Sequence, residues 1–440
     1  MLPIETSTLR HLPIGQPLAR IVQAALAAVA PGPLVRRALP LAEFATKPLR
    51  LLAIGKASVP MAHAALDALP DQVHTALIVT KEGEATQEWH PRTTVIAAGH
   101  PIANANSLVA GETIARSLAT TAADERVLVL LSGGGSALMV LPVPGVTLSD
   151  LQQMTHLLLA SGAPITAVNT VRKHLDLVKG GGLARLAYPA PIITLILSDV
   201  LGNPLDVIAS GPTVPDPSTY GDTLAILERY ALTERVPAAI LTHLVRGTRG
   251  GWPETPKPGD AIFSHGYTTV IGDIEVAAKA ALLQAQVEGF HTAILTTAME
   301  GEAREVGRFF ASIAQEMVHS GQPLPRPACL IIGGETTVTL HGTGRGGRNQ
   351  EVALAMVEAL AGLDRVAVLT LATDGVDGPT DAAGAVVTGT SLQRALELHC
   401  PPTDFLVRND AMTFFDGLGD VLRIGPTSTN VNDLTFIVTW

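Results

Sequence analysis

The chain has 440 residues and a formal net charge of −10, with 47% apolar, 16% charged and 4% aromatic residues. That length exceeds one ordinary core, since domains usually run about 100–200 residues, and the composition excludes a disordered chain. The acidic balance, with no long Lys/Arg cluster, argues against a nucleic-acid partner, because phosphate contacts need a basic face. The N-terminus shows no apolar run of signal-peptide type, and no stretch approaches about 18 uninterrupted apolar residues, so the expectation is a cytoplasmic protein with no membrane partner. Cys329 and Cys400 lie 71 positions apart, which matches no zinc or redox spacing.

Short β-rich runs alternate with helical patterns along most of the chain. Leu49 to Gly55 reads as a buried strand, followed by a Lys-Ala-Ser turn and a helix near Val59 to Leu69. Strands at Thr75 to Thr80 and Thr93 to Gly99, a helix around Ala105 to Thr121 and a strand from Arg126 come next. A further helix starts with Thr147 or Ser149 as N-cap and Asp150 in its first turn. Asn169 to Ala184 reads as one helix and Ile192 to Val200 as a strand. Strands apolar on both faces that alternate with helices imply a mainly parallel sheet covered on both sides. Thr248 to Asp260 is dense in Gly, Pro and charge and reads as a linker between domains 1–247 and 261–440. Beyond it the alternation restarts: strands at Thr268 to Asp273, Thr292 to Ala298, Ala328 to Leu340 and Val366 to Gly375, and a closing strand at Asp433 to Trp440.

In parallel α/β sheets, ligand groups gather in loops at the carboxyl ends of strands. Ser132-Gly133-Gly134-Gly135-Ser136 leaves one strand and enters a helix; glycines let the backbone approach an anion, and a helix start supplies free N–H groups. A tight turn needing positive φ is the plainer reading of the same residues. Lys56, directly after the first strand, offers a point charge suited to a phosphate or carboxylate, or is a solvated loop lysine. Asp199, Asp374, Asp377 and Asp381 end or follow strands and are candidate Mg²⁺ ligands, although Asp is also an ordinary turn former. Gly342 to Gly347 matches G-x-G-x-x-G, a weak signal alone, and the loop also carries Arg345 and Arg348. The P-loop, protein-kinase, nucleophile-elbow and H-E-x-x-H motifs are all missing. His174, within Arg172-Lys173-His174, reads as a structural rather than a catalytic histidine.

Taken in order, the strings IGKAS (54–58), LLSGGGSAL (130–138), NTVRKHLDLVKGGGLA (169–184), SDVLGNPLDVIASGPTVPDPST (198–219), GGETTVTL (333–340), GRGGRNQE (344–351), ATDGVDGPTDAAGA (372–385) and GPTSTNVND (425–433) resemble the type II glycerate 2-kinases, whose C-terminal part is known as the MOFRL domain. They spread over nearly the whole chain. The resemblance implies two α/β domains, the N-terminal one Rossmann-like with a mainly parallel sheet and the C-terminal one of MOFRL type, with the active site in the cleft between them. It implies transfer of the ATP γ-phosphoryl to glycerate, giving 2-phosphoglycerate, with Mg²⁺. The family's proposed active-site lysine and arginine map to Lys56 and Arg348. On this reading Gly133, Gly134, Gly135 and Ser136 cradle an anionic group, and Mg²⁺ takes carboxylates among Asp199, Asp374 and Asp377. Departures are small: Asn203 stands where Asp is common, Asp176 where Ser is common, and Ser428 where Gly is common. The partner implied is a small-molecule substrate, and oligomeric state stays open, a homo-oligomer being allowed. An NAD(P)H-dependent hydroxypyruvate reductase using the Gly342 to Gly347 loop is the competing enzyme reading. It needs an acidic residue about 20 positions on, and Asp364, 17 positions on, precedes its strand. A sugar-acid-binding regulator is the non-enzymatic alternative.

Overall fold

The computed structural model describes residues 4–44, 47–83 and 92–440. Two six-stranded sheets carry the fold, and the chain divides into two compact units, Pro31–Ile271 and Met1–Ala30 with Gly272–Trp440. The first sheet contains β1 (Leu49–Ile54), β2 (Val73–Lys81), β3 (Thr93–Ala98), β4 (Arg126–Leu131), β5 (Ile192–Leu197) and β6 (Tyr267–Gly272), in the order β3-β2-β1-β4-β5-β6. The pairings β2–β3, β1–β2, β1–β4 and β4–β5 are all parallel. β1 and β5 are buried along their whole length, as expected of strands covered on both faces. This is the doubly wound Rossmann order, and it reverses direction between β1 and β4.

Helix boundaries in this unit follow from capping. Asn104 accepts from the N–H of Ser107 at the start of Ala105–Leu118, and Thr147 accepts from the N–H of Asp150 at the start of Leu148–Ala160; both are capping boxes. The expected single helix over 169–184 is two. Ile165–His174 stops, and Gly182–Ala187 begins anew after Gly180 and Gly181, both at positive φ. Between them Asp176 accepts from the N–H groups of Leu141 and Val178 and pairs with Lys179, so the segment is pinned by side-chain bonds that a helix would not allow. A separate helical layer packs its own core from Met154, Leu158, Leu227, Ile240 and Leu244.

The linker expected at 248–260 belongs to this unit, and the boundary is corrected accordingly. Glu254 accepts from the N–H of Tyr220 at 3.0 Å and lies 3.2 Å from His174 Nε2, and Thr255 donates to Asp216 at 2.9 Å. Trp252 stacks on His243. The Pro and Gly residues set the turns, while side-chain bonds fix the segment in place. β6, expected to open the second domain, instead completes the first sheet.

The second sheet contains β7 (His291–Glu302), β8 (Ala328–Thr337), β9 (Val366–Ala372), β10 (Gly384–Thr388), β11 (Val421–Leu422) and β12 (Asp433–Thr439), in the order β11-β10-β9-β12-β8-β7. Only β7–β8 is parallel; β12 runs antiparallel to both β8 and β9. The sequence leaves β10 and β11 unplaced. The helix Gly15–Ala28 joins this unit: Leu18, Ile21, Val22 and Ala25 are buried, and Arg20 makes a two-pronged pair with Glu288. No single described helix is long and apolar enough to cross a membrane.

Candidate active site

Loops leaving β1 and β4 meet where the strand order of the first sheet reverses. Gly55 follows β1 at φ +127°, and a Cβ there would collide with Ser132. Lys56 N–H donates to the Gly133 carbonyl at 2.9 Å, and Ala57 N–H donates to Ser132 Oγ at 2.9 Å. The two loops are thus stitched together. The Lys56 ammonium has no hydrogen-bond or ion-pair partner among the described residues.

Each glycine of the second loop is required by a neighbour. A Cβ on Gly133 would strike the Asp199 carboxylate, so Asp199 lies directly against the turn. Gly134 sits at φ +88°, and a Cβ there would crowd the His100 ring and face the Lys56 stem. A Cβ on Gly135 would press on Ala209. Ser136 Oγ lies 2.8 Å from Ser210 Oγ, which donates to Asn169 at 3.1 Å. The N–H groups of Gly133, Gly134, Gly135 and Ser136 make no backbone hydrogen bond among the described residues. Successive free N–H groups in a glycine turn of this kind can form an anion cradle. Ala209, Ser210 and Gly211 are successive left-handed residues packed against this cradle; such strain persists only where the surroundings over-determine it, and it clusters at functional sites.

Lys56, Gly133, Gly134, Gly135, Ser136 and Asp199 are therefore brought together. His100, Ser210 and Asn169 join them and were not anticipated. His100 lies two residues after β3, as Lys56 lies two after β1, so the strand-end rule that selected Lys56 would have found it. Burial first, then the charges of Lys56 and Lys81, push the His100 imidazole down to about 4, so it is neutral at pH 7.

Arg348, Asp374 and Asp377 lie in the other unit. Arg348 opens the helix Arg348–Met356. Its Nε and Nη2 donate to the two Asp433 oxygens at 2.5 and 3.1 Å, and Nη1 donates to Glu335 at 2.7 Å. Glu335 is on β8 and Asp433 on β12, neighbouring strands. Burial opposes the charged guanidinium, but the bonds and charge of Asp433, with Glu335 and Asp377, outweigh it and hold Arg348 above the ordinary arginine value. Burial pushes the Asp433 carboxyl up to about 7, against the pull of Arg348.

The expectation of Asp377 as a metal ligand is corrected. Its carboxylate is buried and accepts from the backbone N–H and side-chain amide of both Asn349 and Gln350, at 2.9–3.3 Å. All its acceptor positions are taken up in capping the helix that carries Arg348. Asp374 is half-buried, and one oxygen accepts from the N–H of Val376. Among the described residues no group of three or more His, Cys, Asp or Glu side chains is arranged to hold a metal.

The glycine loop before Arg348 does not form a dinucleotide cradle. The N–H groups of His341 and Gly342 donate to Asn409 Oδ1, that of Gly344 to the Arg408 carbonyl, and that of Arg345 to Asp410. Asp377 covers the helix start where a pyrophosphate would sit. The geometry that a nicotinamide-dependent reductase needs from this loop is absent.

Residues 17–245 match the family described as "Domain of unknown function (DUF4147)", and residues 328–433 match the MOFRL family. The chain is 41% identical over 416 residues to a D-glycerate 2-kinase of Thermotoga maritima, covering 94% of this chain and 95% of that protein. It is 41% identical over 389 residues to a glycerate 2-kinase of Pyrococcus horikoshii, covering 88% and 86%. The crystal structure of glycerate kinase from Thermotoga maritima superposes with a TM-score of 0.88 at 40% identity, covering 96% of this chain and 99% of that one.

Proposed function

The chain belongs to the type II glycerate kinase family, and from that premise we propose that it transfers the γ-phosphoryl group of ATP to the 2-hydroxyl of D-glycerate, giving 2-phosphoglycerate and ADP. The observation that carries the reading is the cradle at the reversal of the strand order. There an unpaired ammonium, Lys56, lies beside four free N–H groups. Phosphoryl transfer asks a protein for positioning and charge neutralisation rather than for covalent chemistry. Four N–H groups and one cation supply that for an anion held at a strand end.

In this reading the Gly133–Ser136 N–H groups bind phosphate oxygens, and Lys56 offsets charge on the transferring group. Neutral His100 offers a hydrogen bond without adding a competing cation beside Lys56. Arg348 keeps two of its five N–H donors beyond those held by Asp433 and Glu335. Those two meet an anionic group of the substrate, with the fork aimed by Asp433. Mg²⁺ fits the oxygen chemistry of Asp199 at the turn. The ion would screen charge on the ATP phosphates. The proposed location is the cytoplasm.

Purified protein with ATP, Mg²⁺ and D-glycerate is expected to release ADP stoichiometrically with glycerate consumed. With hydroxypyruvate and NADH or NADPH it is expected to leave the absorbance at 340 nm unchanged. Nucleotide oxidation without ADP formation would establish the reductase reading in its place.

A further inference from the structure

Beside the cradle lies a cavity of about 130 Å³. Ser136 and Ala137, the residues that follow the glycine turn, are among those that line it. Its walls are the buried side chains of Val140, Met154, Leu158 and Val171. Ile102 and Leu159 also line it, yet they are 68% and 60% exposed. Arg172 lines it too, from the helix Ile165–His174. Its guanidinium makes no hydrogen bond or ion pair among the described residues. The other cation on the wall, Lys179, is held by Asp176 at 2.6 Å and by the Met139 carbonyl at 2.7 Å.

We infer that this cavity receives the purine base of the nucleotide, with the Arg172 guanidinium lying against the base or its ribose. The inference rests on ATP being the phosphoryl donor, as proposed above. Three features select the base over other parts of the substrates. The wall is mostly aliphatic and has one unpaired cation, which is too little for a triphosphate and poorly suited to a small hydroxy acid. An apolar cavity of about 150 Å³ accepts a single aromatic ring, so this one takes one ring of a purine, with the rest of the base toward the open rim. The cavity begins where the proposed phosphate cradle ends, as the two halves of one nucleotide require. Arg172 adds the complement to a π face, since a guanidinium stacks on aromatic planes and gains most where water is thin. Burial lowers Arg172 from the ordinary arginine value, with Asp176 opposing, so the guanidinium is already partly dehydrated on the wall where a base would stack on it.

The test compares the full chain with Arg172→Met, which keeps the stem, and Ile102→Trp, which obstructs the exposed rim without touching the core. ADP and inorganic tripolyphosphate are titrated calorimetrically, and KM is measured separately for ATP and D-glycerate. Far-UV circular dichroism and Tm confirm that each variant is folded. The expected result is a loss of roughly 10-fold or more in ADP affinity in both variants, with tripolyphosphate binding within about twofold of the parent. KM for ATP rises correspondingly, and KM for D-glycerate stays put. Unchanged ADP affinity in both folded variants overturns the inference. So does an equal loss for tripolyphosphate, which would place Arg172 on the phosphates, or a rise confined to the KM for D-glycerate, which would place it on the acid. If the parent binds ADP in this way but phosphorylates no glycerate, the proposed function fails and the base site stands. Turnover with ADP affinity indifferent to both variants has the opposite meaning.

Discussion

Lys56 and Arg348 do different work although both are cations. The Lys56 ammonium has no partner among the described residues, so removing its charge disturbs little packing. Lys56→Met is expected to fold with a Tm within a few degrees of the parent and to lose kcat by roughly 10²-fold or more, as for other preorganised charge contacts. Arg348 is tied to Asp433 by two bonds and to Glu335 by a third. Arg348→Lys keeps the charge but cannot span both Asp433 oxygens, so it is expected to lose both activity and stability. Steady-state kinetics beside urea unfolding separate the two cases, and parent-like kcat/KM in both variants would remove these side chains from the reaction. Elsewhere, Lys179 and Asp176 form a buried ion pair. Asp176→Leu strands the ammonium and should cost about 3–5 kcal/mol in urea unfolding, whereas the double replacement Asp176→Leu with Lys179→Met should recover much of that loss.

His100 supplies a pH prediction at the same scale. Its folded value is about 4 against an ordinary 6.5. Between those limits the unfolded chain takes up a proton that the folded chain refuses. Stability therefore falls as pH drops from about 6.5 toward 4, and the His100 contribution is fully present above 6.5. Urea unfolding of His100→Asn over that window is expected to show a shallower fall than the parent; identical slopes would mean that His100 is not held neutral.

At the scale of elements, legibility depended on whether the signal was local. Strand β1 and the glycine turn after β4 are written in adjacent residues and read correctly, and of the two N-caps the sequence offered, Thr147 and Ser149, the structure uses Thr147. The break inside 169–184 comes from Asp176, whose partners include Leu141, 35 positions away. No window over the segment contains that partner. The same reason hid the role of Asp377: as one more Asp after a strand it resembled a ligand, and only its four N–H donors on Asn349 and Gln350 show it to be a cap. Asp377→Ala leaves those donors orphaned in a buried place. It is expected to destabilise the protein by about 2–4 kcal/mol in denaturant unfolding, more than an exposed cap, which is worth roughly 1. A loss within 0.5 kcal/mol of zero would restore Asp377 to the list of free carboxylates.

Over the whole molecule, the alternation of strands and helices marked most strands of both sheets but left β10 and β11 unplaced, and the partition of the chain between the sheets could not be read from it. The Gly/Pro-rich stretch at 248–260 has the composition of a linker, yet Glu254 and Thr255 fasten it into the first unit. The first thirty residues belong with the last 169-residue segment, Gly272–Trp440, because the helix Gly15–Ala28, in which Leu18, Ile21 and Val22 are buried, packs against the helix Ile274–Val287. Burying each such side chain is worth about 1.5–3 kcal/mol. A fragment 272–440 is therefore expected to be insoluble or molten alone and to fold when co-expressed with residues 1–30; a cooperative unfolding transition from the lone fragment would contradict the partition.

The central claim is that the cradle between β1 and β4 serves phosphoryl transfer to the 2-hydroxyl of D-glycerate. An enolase-coupled assay without phosphoglycerate mutase reads this directly, because enolase accepts 2-phosphoglycerate and not its 3-isomer. The account predicts phosphoenolpyruvate formation that depends on ATP, D-glycerate and Lys56. ADP release with no enolase signal, or an undiminished signal from Lys56→Met, would contradict it.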